Sequence, residues 1–168
     1  MEKKIRYYKY VLYYSGLAVI AFGVWDIVQT FIITYYDDEL INFIIEDVGN
    51  EALTISDIKV IIVVVIALMG LIEIAGRAYI GLNAVKAAKG EKRSDAYIVF
   101  AILYSSIVII SYFIEILDNF KESRYDIIFY TVRIIICLTS VFGLIEIIIS
   151  ALKIKRLQKE ISVLENPG

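Results

Sequence analysis

The sequence predicts an all-α integral membrane protein with four transmembrane helices, arranged as a tandem (2+2) pair of helical hairpins. Hydrophobic residues make up 60% of the 168 residues, whereas a soluble domain has roughly 45–50%. Four apolar stretches are long enough to cross a bilayer, and one five-residue motif with a glutamate occurs in two of them. The composition predicts the membrane class, and the stretches and the repeat predict the number and grouping of the helices.

A helix needs about 20 apolar residues to cross a bilayer, and four stretches meet this length. They cover residues 11–33, 60–82, 96–117 and 127–152. Ser/Thr-x-x-Asp patterns precede the second and fourth stretches, at Thr54–Asp57 and Ser123–Asp126, and this pattern is typical of helix N-termini. We further expect Gly90 to end the second helix and Ser94 to cap the third.

Two segments outside the spans have patterns of their own. Residues 36–58 mix acids with apolar side chains, which predicts an acidic outer loop containing a short helix on the membrane surface. A lid over the outer end of the helices is the alternative for this loop. Residues 153–165 place Ile154, Leu157 and Ile161 at helical spacing among basic residues. This predicts a cytosolic extension of the fourth helix that docks a partner or anionic lipid headgroups.

The basic residues predict the orientation of the chain in the membrane. Twelve of the 17 lysines and arginines lie before the first stretch, between the second and third, or after the fourth. Because basic residues accumulate on the cytoplasmic side, we expect both termini in the cytoplasm. A cleaved signal peptide is the alternative, but the first apolar stretch continues well beyond its candidate cleavage site at Ala21–Gly23. The Ile- and Lys-rich, His-free composition favours a bacterial plasma membrane.

The segment Gly70–Ile74 is repeated letter for letter as Gly143–Ile147. A charged side chain at mid-membrane costs about 2.5–3.5 kcal/mol on insertion scales, so two glutamates at matching places indicate a duplicated unit of two helices. Such units have the same orientation, which makes this a parallel repeat and not the inverted repeat of many transporters. Chance similarity in an Ile-rich sequence is the alternative.

Six ionisable residues lie within the spans and form a predicted charged core. Lipid cannot satisfy them, so we expect them to face protein and to pair. Glu73 and Arg77 are four residues apart and are predicted to pair directly, Arg77 and Glu146 are expected in the same leaflet, and Arg133 near Glu115. We interpret the pairs as fixing helix register; proton or cation handling and recognition of a charged partner helix are the alternatives. The six are Asp26, Glu73, Arg77, Glu115, Arg133 and Glu146.

Small residues accompany the charged ones on the same helix faces. Glycine permits two helix backbones to approach closely, and this is the main reason that glycine is tolerated in the middle of a membrane helix. We therefore predict that five glycines lie at helix–helix contacts. They are Gly16, Gly23, Gly70, Gly81 and Gly143.

The sequence contains no motif that predicts catalysis. It has no histidine and one cysteine, and it lacks a nucleophile elbow and a glycine-rich phosphate loop. We therefore expect no enzymatic activity, cofactor, metal centre or nucleic acid partner. The hypothesis is a non-enzymatic membrane subunit or interaction protein, whose partners are the lipid bilayer and a second copy or another membrane protein. The alternative is a small proton- or cation-coupled transporter or channel, against which the proline-free spans and the parallel repeat weigh.

Overall fold

A computed structural model describes residues 1–36, 55–91, 94–122 and 127–165, and the side chains of residues 1–32, 56–91, 94–114 and 134–164. These residues form four α-helices and no β-strand. The helices are α1 (Glu2–Tyr36), α2 (Ile55–Ala88), α3 (Ala96–Glu122) and α4 (Ile127–Glu165). The predicted all-α fold class is therefore confirmed.

Each of the four helices contains a segment long and apolar enough to cross a membrane. These segments are Glu2–Ile32, Ser56–Ala88, Ala96–Ile114 and Ile134–Leu164. The fold is that of an all-α four-helix membrane protein. Within it, α4 continues through residues 153–165 as one helix, whereas most of the predicted outer loop, residues 37–54, lies outside the described residues.

The link between α2 and α3 closes as the sequence predicts. Gly90 has a φ of 88°, a left-handed conformation that glycine adopts without steric cost. The amide of Gly90 donates to the carbonyl of Ala87 (3.0 Å), and that of Glu91 donates to Lys86 (3.2 Å). These two bonds form the Schellman motif that ends many helices. At the start of α3, the Ser94 hydroxyl accepts a hydrogen bond from the Ala96 amide (3.3 Å).

The chain divides into two compact units. The first contains Met1–Phe22 and Gly76–Gly168 and therefore takes segments from all four helices; the second contains Gly23–Ala75. The first unit has a continuous apolar core with contributions from each helix, for example Val19, Ile80, Ala101 and Leu144.

Within the first unit, α1 and α2 meet at a pair of glycines. A Cβ atom built on Gly16 would lie 2.7 Å from the carbonyl oxygen of Gly81, and one built on Gly81 would lie 2.5 Å from that of Gly16. No side chain fits between two backbones at this distance. Glycine at both positions therefore permits the close approach of the two helices.

Candidate functional site

Arg77 joins three helices within the first unit. Its Nη1 donates a hydrogen bond to the Ser140 hydroxyl on α4 (2.6 Å), and its Nε donates to the Tyr104 hydroxyl on α3 (3.0 Å). The guanidinium carbon also lies 5.7 Å from the centre of the Tyr104 ring, within the range of a cation–π interaction. We call Arg77, Tyr104 and Ser140 the arginine node.

Two of the three residues of the arginine node are buried, and Tyr104 is partly buried. Arg77 is 1% exposed and Ser140 is fully buried. A guanidinium remains charged in proteins and presents donors in a fixed planar fork, so it can bind two hydroxyl groups on two different helices at once. Gly76 lies beside the Tyr104 ring. A Cβ atom built on Gly76 would lie 3.6 Å from the nearest carbon of that ring. Chemically, this arrangement is a structural cross-link between helices.

Two of the predicted acidic residues belong to the second unit. Asp26 on α1 is buried, with 9% of its surface exposed, and Glu73 on α2 is partly buried. In the same unit, a Cβ on Gly70 would lie 3.1 Å from the Ile27 side chain, so Gly70 lies at a contact between α1 and α2. The direct pairing of Glu73 with Arg77 stays a prediction.

Glu146 differs from the acids of the second unit. It lies on α4 in the first unit and is partly buried, yet it forms no hydrogen bond or ion pair with the described residues. Glu146 therefore does not pair with Arg77, although the two were expected in the same leaflet. The physical reason is that the Arg77 fork donates to hydroxyls of Tyr104 and Ser140. Glu115 and Arg133 lie outside the described side chains.

The predicted packing glycines have different neighbours. Gly16 and Gly81 contact each other, whereas a Cβ on Gly143 would lie 3.3 Å from the Val19 side chain on α1. Gly23 is buried. The glycine copies of the repeat, Gly70 and Gly143, contact different residues of α1, so the tandem duplication remains a feature of the sequence alone.

Sequence reasoning missed Tyr104 and Ser140, which supply both hydroxyls of the arginine node. A signal was present for Tyr104. Tyrosine is enriched at membrane interfaces, whereas Tyr104 lies inside the third predicted span. A tyrosine away from the interface indicates that its hydroxyl has a polar partner within the protein. Ser140 gave a weaker signal, because a hydroxyl in a membrane helix is often satisfied by the carbonyl of its own preceding turn. Thr139, its neighbour, bonds in this way to the Ile135 carbonyl (2.7 Å).

A second polar region lies near the α2–α3 link. A cavity of about 240 Å³ is lined by residues of both charges, among them Lys9, Glu91, Asp95 and Lys155. Asp95 and Lys155 form an ion pair, and Lys89 lies 6.0 Å from the centre of the Tyr13 ring. The charges that line this cavity balance, so it has no marked preference for an anion or a cation.

The described residues contain no group of three or more His, Cys, Asp or Glu side chains placed to hold a metal ion. The fold and the arginine node together define a four-helix membrane protein with a buried, hydrogen-bonded cation. Comparisons with protein-family models, curated proteins and solved structures found no match.

Proposed function

We propose that this chain is a small, non-enzymatic multi-pass subunit or interaction protein of the plasma membrane, with both termini in the cytoplasm. The observation that supports it best is the arginine node. Arg77 is almost fully buried, and its charge is directed at hydroxyls of two other helices. Hydrogen bonds from one cation to two other helices fix the positions of the three helices relative to one another. A protein that binds a partner in the membrane requires such fixed helices, because they present a constant surface to that partner.

The outward faces of the helices supply the surface for such a role. Large apolar side chains are exposed on each helix, for example Leu68 on α2, Leu103 on α3 and Leu138 on α4. In a membrane, these faces contact lipid or the helices of another chain. The partners in this proposal are therefore the bilayer itself and a second copy or a different membrane protein.

A proton- or cation-coupled transporter or channel is the second candidate. The observation that favours it is Asp26, a carboxylate that is buried within a membrane-spanning helix. Intramembrane acids mark proton and ion pathways in many transporters. A transporter or channel predicts ion flux across the membrane, whereas a subunit or interaction protein predicts stable association with a partner and no flux. Measuring both quantities therefore distinguishes the two candidates.

Photo-crosslinking in native membranes tests the proposed role. A photoreactive amino acid replaces Leu68, Leu103 or Leu138 in turn, since all three side chains are exposed. We expect one face to give a discrete protein adduct of constant stoichiometry, identified by mass spectrometry, and the other faces to react with lipid. Reaction with lipid alone from all three faces contradicts the proposal.

A further inference from the structure

One flank of α4 carries a carboxylate that has no partner among the described residues. This flank, which we call the Glu146 flank, contains Thr139 and Glu146, seven residues apart. Thr139 is exposed and Glu146 is partly buried. Glu146 forms no hydrogen bond or ion pair with the described residues. Gly143 and Ser150, which lie next to the flank, are buried inside the unit and form no part of its surface.

The position of Glu146 along the helix makes an unpaired carboxylate costly. Glu146 lies six residues before the end of the fourth predicted span, which places it about 9 Å inside the bilayer at 1.5 Å per residue. Acidic side chains at this depth normally pair with a cation or face a wet cavity. A cation at this depth therefore stabilises the ionised carboxylate, and apolar lipid chains supply none.

None of the described cations near Glu146 pairs with it. Arg77 donates to Tyr104 and Ser140, and Lys155 pairs with Asp95 near the α2–α3 link. Lys153 lies two turns beyond Glu146 on α4, and the two form no ion pair. The counter-charge is therefore expected from outside the described part of the chain.

We propose that the Glu146 flank is the docking site for a transmembrane helix of a partner protein, and that this helix carries a lysine or arginine at the depth of Glu146. The inference rests on the proposed function and names the chemistry of the partner. Phe142, Ile145 and Ile149 are exposed beside the flank and supply its apolar contacts. Charge complementarity selects this occupant. A second copy docked about a two-fold axis brings two carboxylates together, which disfavours that arrangement.

Synthetic single-span peptides provide the probe. One is a leucine- and alanine-rich helix with a single lysine about 9 Å from one end of its apolar segment, and the matched control peptide has leucine at that place. Purified full-length protein in phosphatidylcholine vesicles carries an energy-transfer acceptor, and the peptide carries the donor. Titration at fixed peptide-to-lipid ratio measures association. We expect the lysine peptide to associate about five- to tenfold more strongly than the leucine peptide, as intramembrane polar contacts permit.

Two variants assign the preference to Glu146. Glu146→Gln keeps the size and a polar group, and it should reduce the preference to less than about twofold. Glu73→Gln is the matched control, because Glu73 is the repeat equivalent of Glu146, and it should keep the preference. Circular dichroism melting curves show whether each variant folds. Charge reversal gives a second readout: Glu146→Lys should favour a peptide with glutamate over one with lysine.

Equal association of both peptides with the wild-type protein overturns the inference, and so does a preference that survives Glu146→Gln. Either result leaves the proposed function intact if native-membrane crosslinks form through another helix face. Conversely, a lysine preference without any native protein adduct removes support from the proposed function and not from the chemistry of this flank.

Discussion

The hydrogen bond between Arg77 and Ser140 gives a quantitative prediction about what holds α2 against α4. The perturbation is a double-mutant cycle of Arg77→Met and Ser140→Ala. Methionine removes the charge and the donors but keeps an unbranched apolar side chain, and alanine removes only the acceptor. The cycle isolates the interaction energy between the two side chains, because the effects of each change elsewhere cancel.

The expected interaction energy follows from the geometry. The donor–acceptor distance is 2.6 Å, shorter than the roughly 2.7–2.9 Å usual for charge-assisted N–H···O bonds, and both side chains are buried, so water cannot replace the bond. Charge-assisted bonds contribute about 1.5–3 kcal/mol in soluble proteins. Polar contacts in a membrane protein averaged about 0.6 kcal/mol with a maximum near 1.7. We therefore expect about 1–1.7 kcal/mol, at the upper end of the membrane range.

The single variants have their own expected effects. Arg77→Met leaves the buried Ser140 hydroxyl and the partly buried Tyr104 hydroxyl without their donor, so it should lower the free energy of unfolding by about 2–4 kcal/mol. Tyr104→Phe keeps the ring beside the guanidinium and removes one bond of 3.0 Å, so its effect should be about 0.5–1 kcal/mol.

The assay is reversible unfolding in mixed micelles, followed by the loss of helical circular dichroism. Ser106→Ala is the matched control, since the Ser106 hydroxyl is exposed and bonds to the Ile102 carbonyl of its own helix (2.9 Å). It should change stability by less than about 0.5 kcal/mol. An interaction energy between Arg77 and Ser140 within about 0.3 kcal/mol of zero refutes the cross-linking role of the node.

Two further predictions concern orientation and helix packing. On a cysteine-free background, Lys89→Cys should resist a membrane-impermeant thiol reagent in intact cells, whereas Glu46→Cys should react; external labelling at position 89 contradicts the topology. Gly16→Ala should destabilise by about 1–3 kcal/mol, because its Cβ meets the Gly81 carbonyl at 2.7 Å. Gly76→Ala, with 3.6 Å to the nearest Tyr104 carbon, should be neutral or stabilising, and equal losses for both variants argue against the packing account.

The fold class could be predicted from the sequence because hydrophobic length is a strong local signal. Each predicted span lies within one of the four helices. The end of α2 could also be predicted from the sequence, because glycine at a helix end favours the left-handed conformation. The structure shows this conformation at Gly90. These features depend on residues that are close in sequence, and a single chain supplies all the information they need.

The partners of the charged residues could not be predicted in the same way. Depth along the span placed Arg77 and Glu146 in one leaflet, but pairing also depends on the rotation of each helix about its axis. That rotation directs Arg77 to Tyr104 and Ser140, hydroxyls with no charge to indicate them in the sequence. Helix rotation is set by the packing of many apolar side chains, and an Ile-rich sequence carries little information about it.

Ion flux through sealed vesicles tests the central claim most directly, because the account assigns the buried charges to structure and association. Purified protein is reconstituted into sealed vesicles with an imposed pH gradient and, separately, with an alkali-cation gradient; an ionophore added at the end shows that the vesicles were sealed. The account predicts no flux above that of protein-free vesicles. Reproducible flux that Glu73→Gln abolishes contradicts it and favours the transporter.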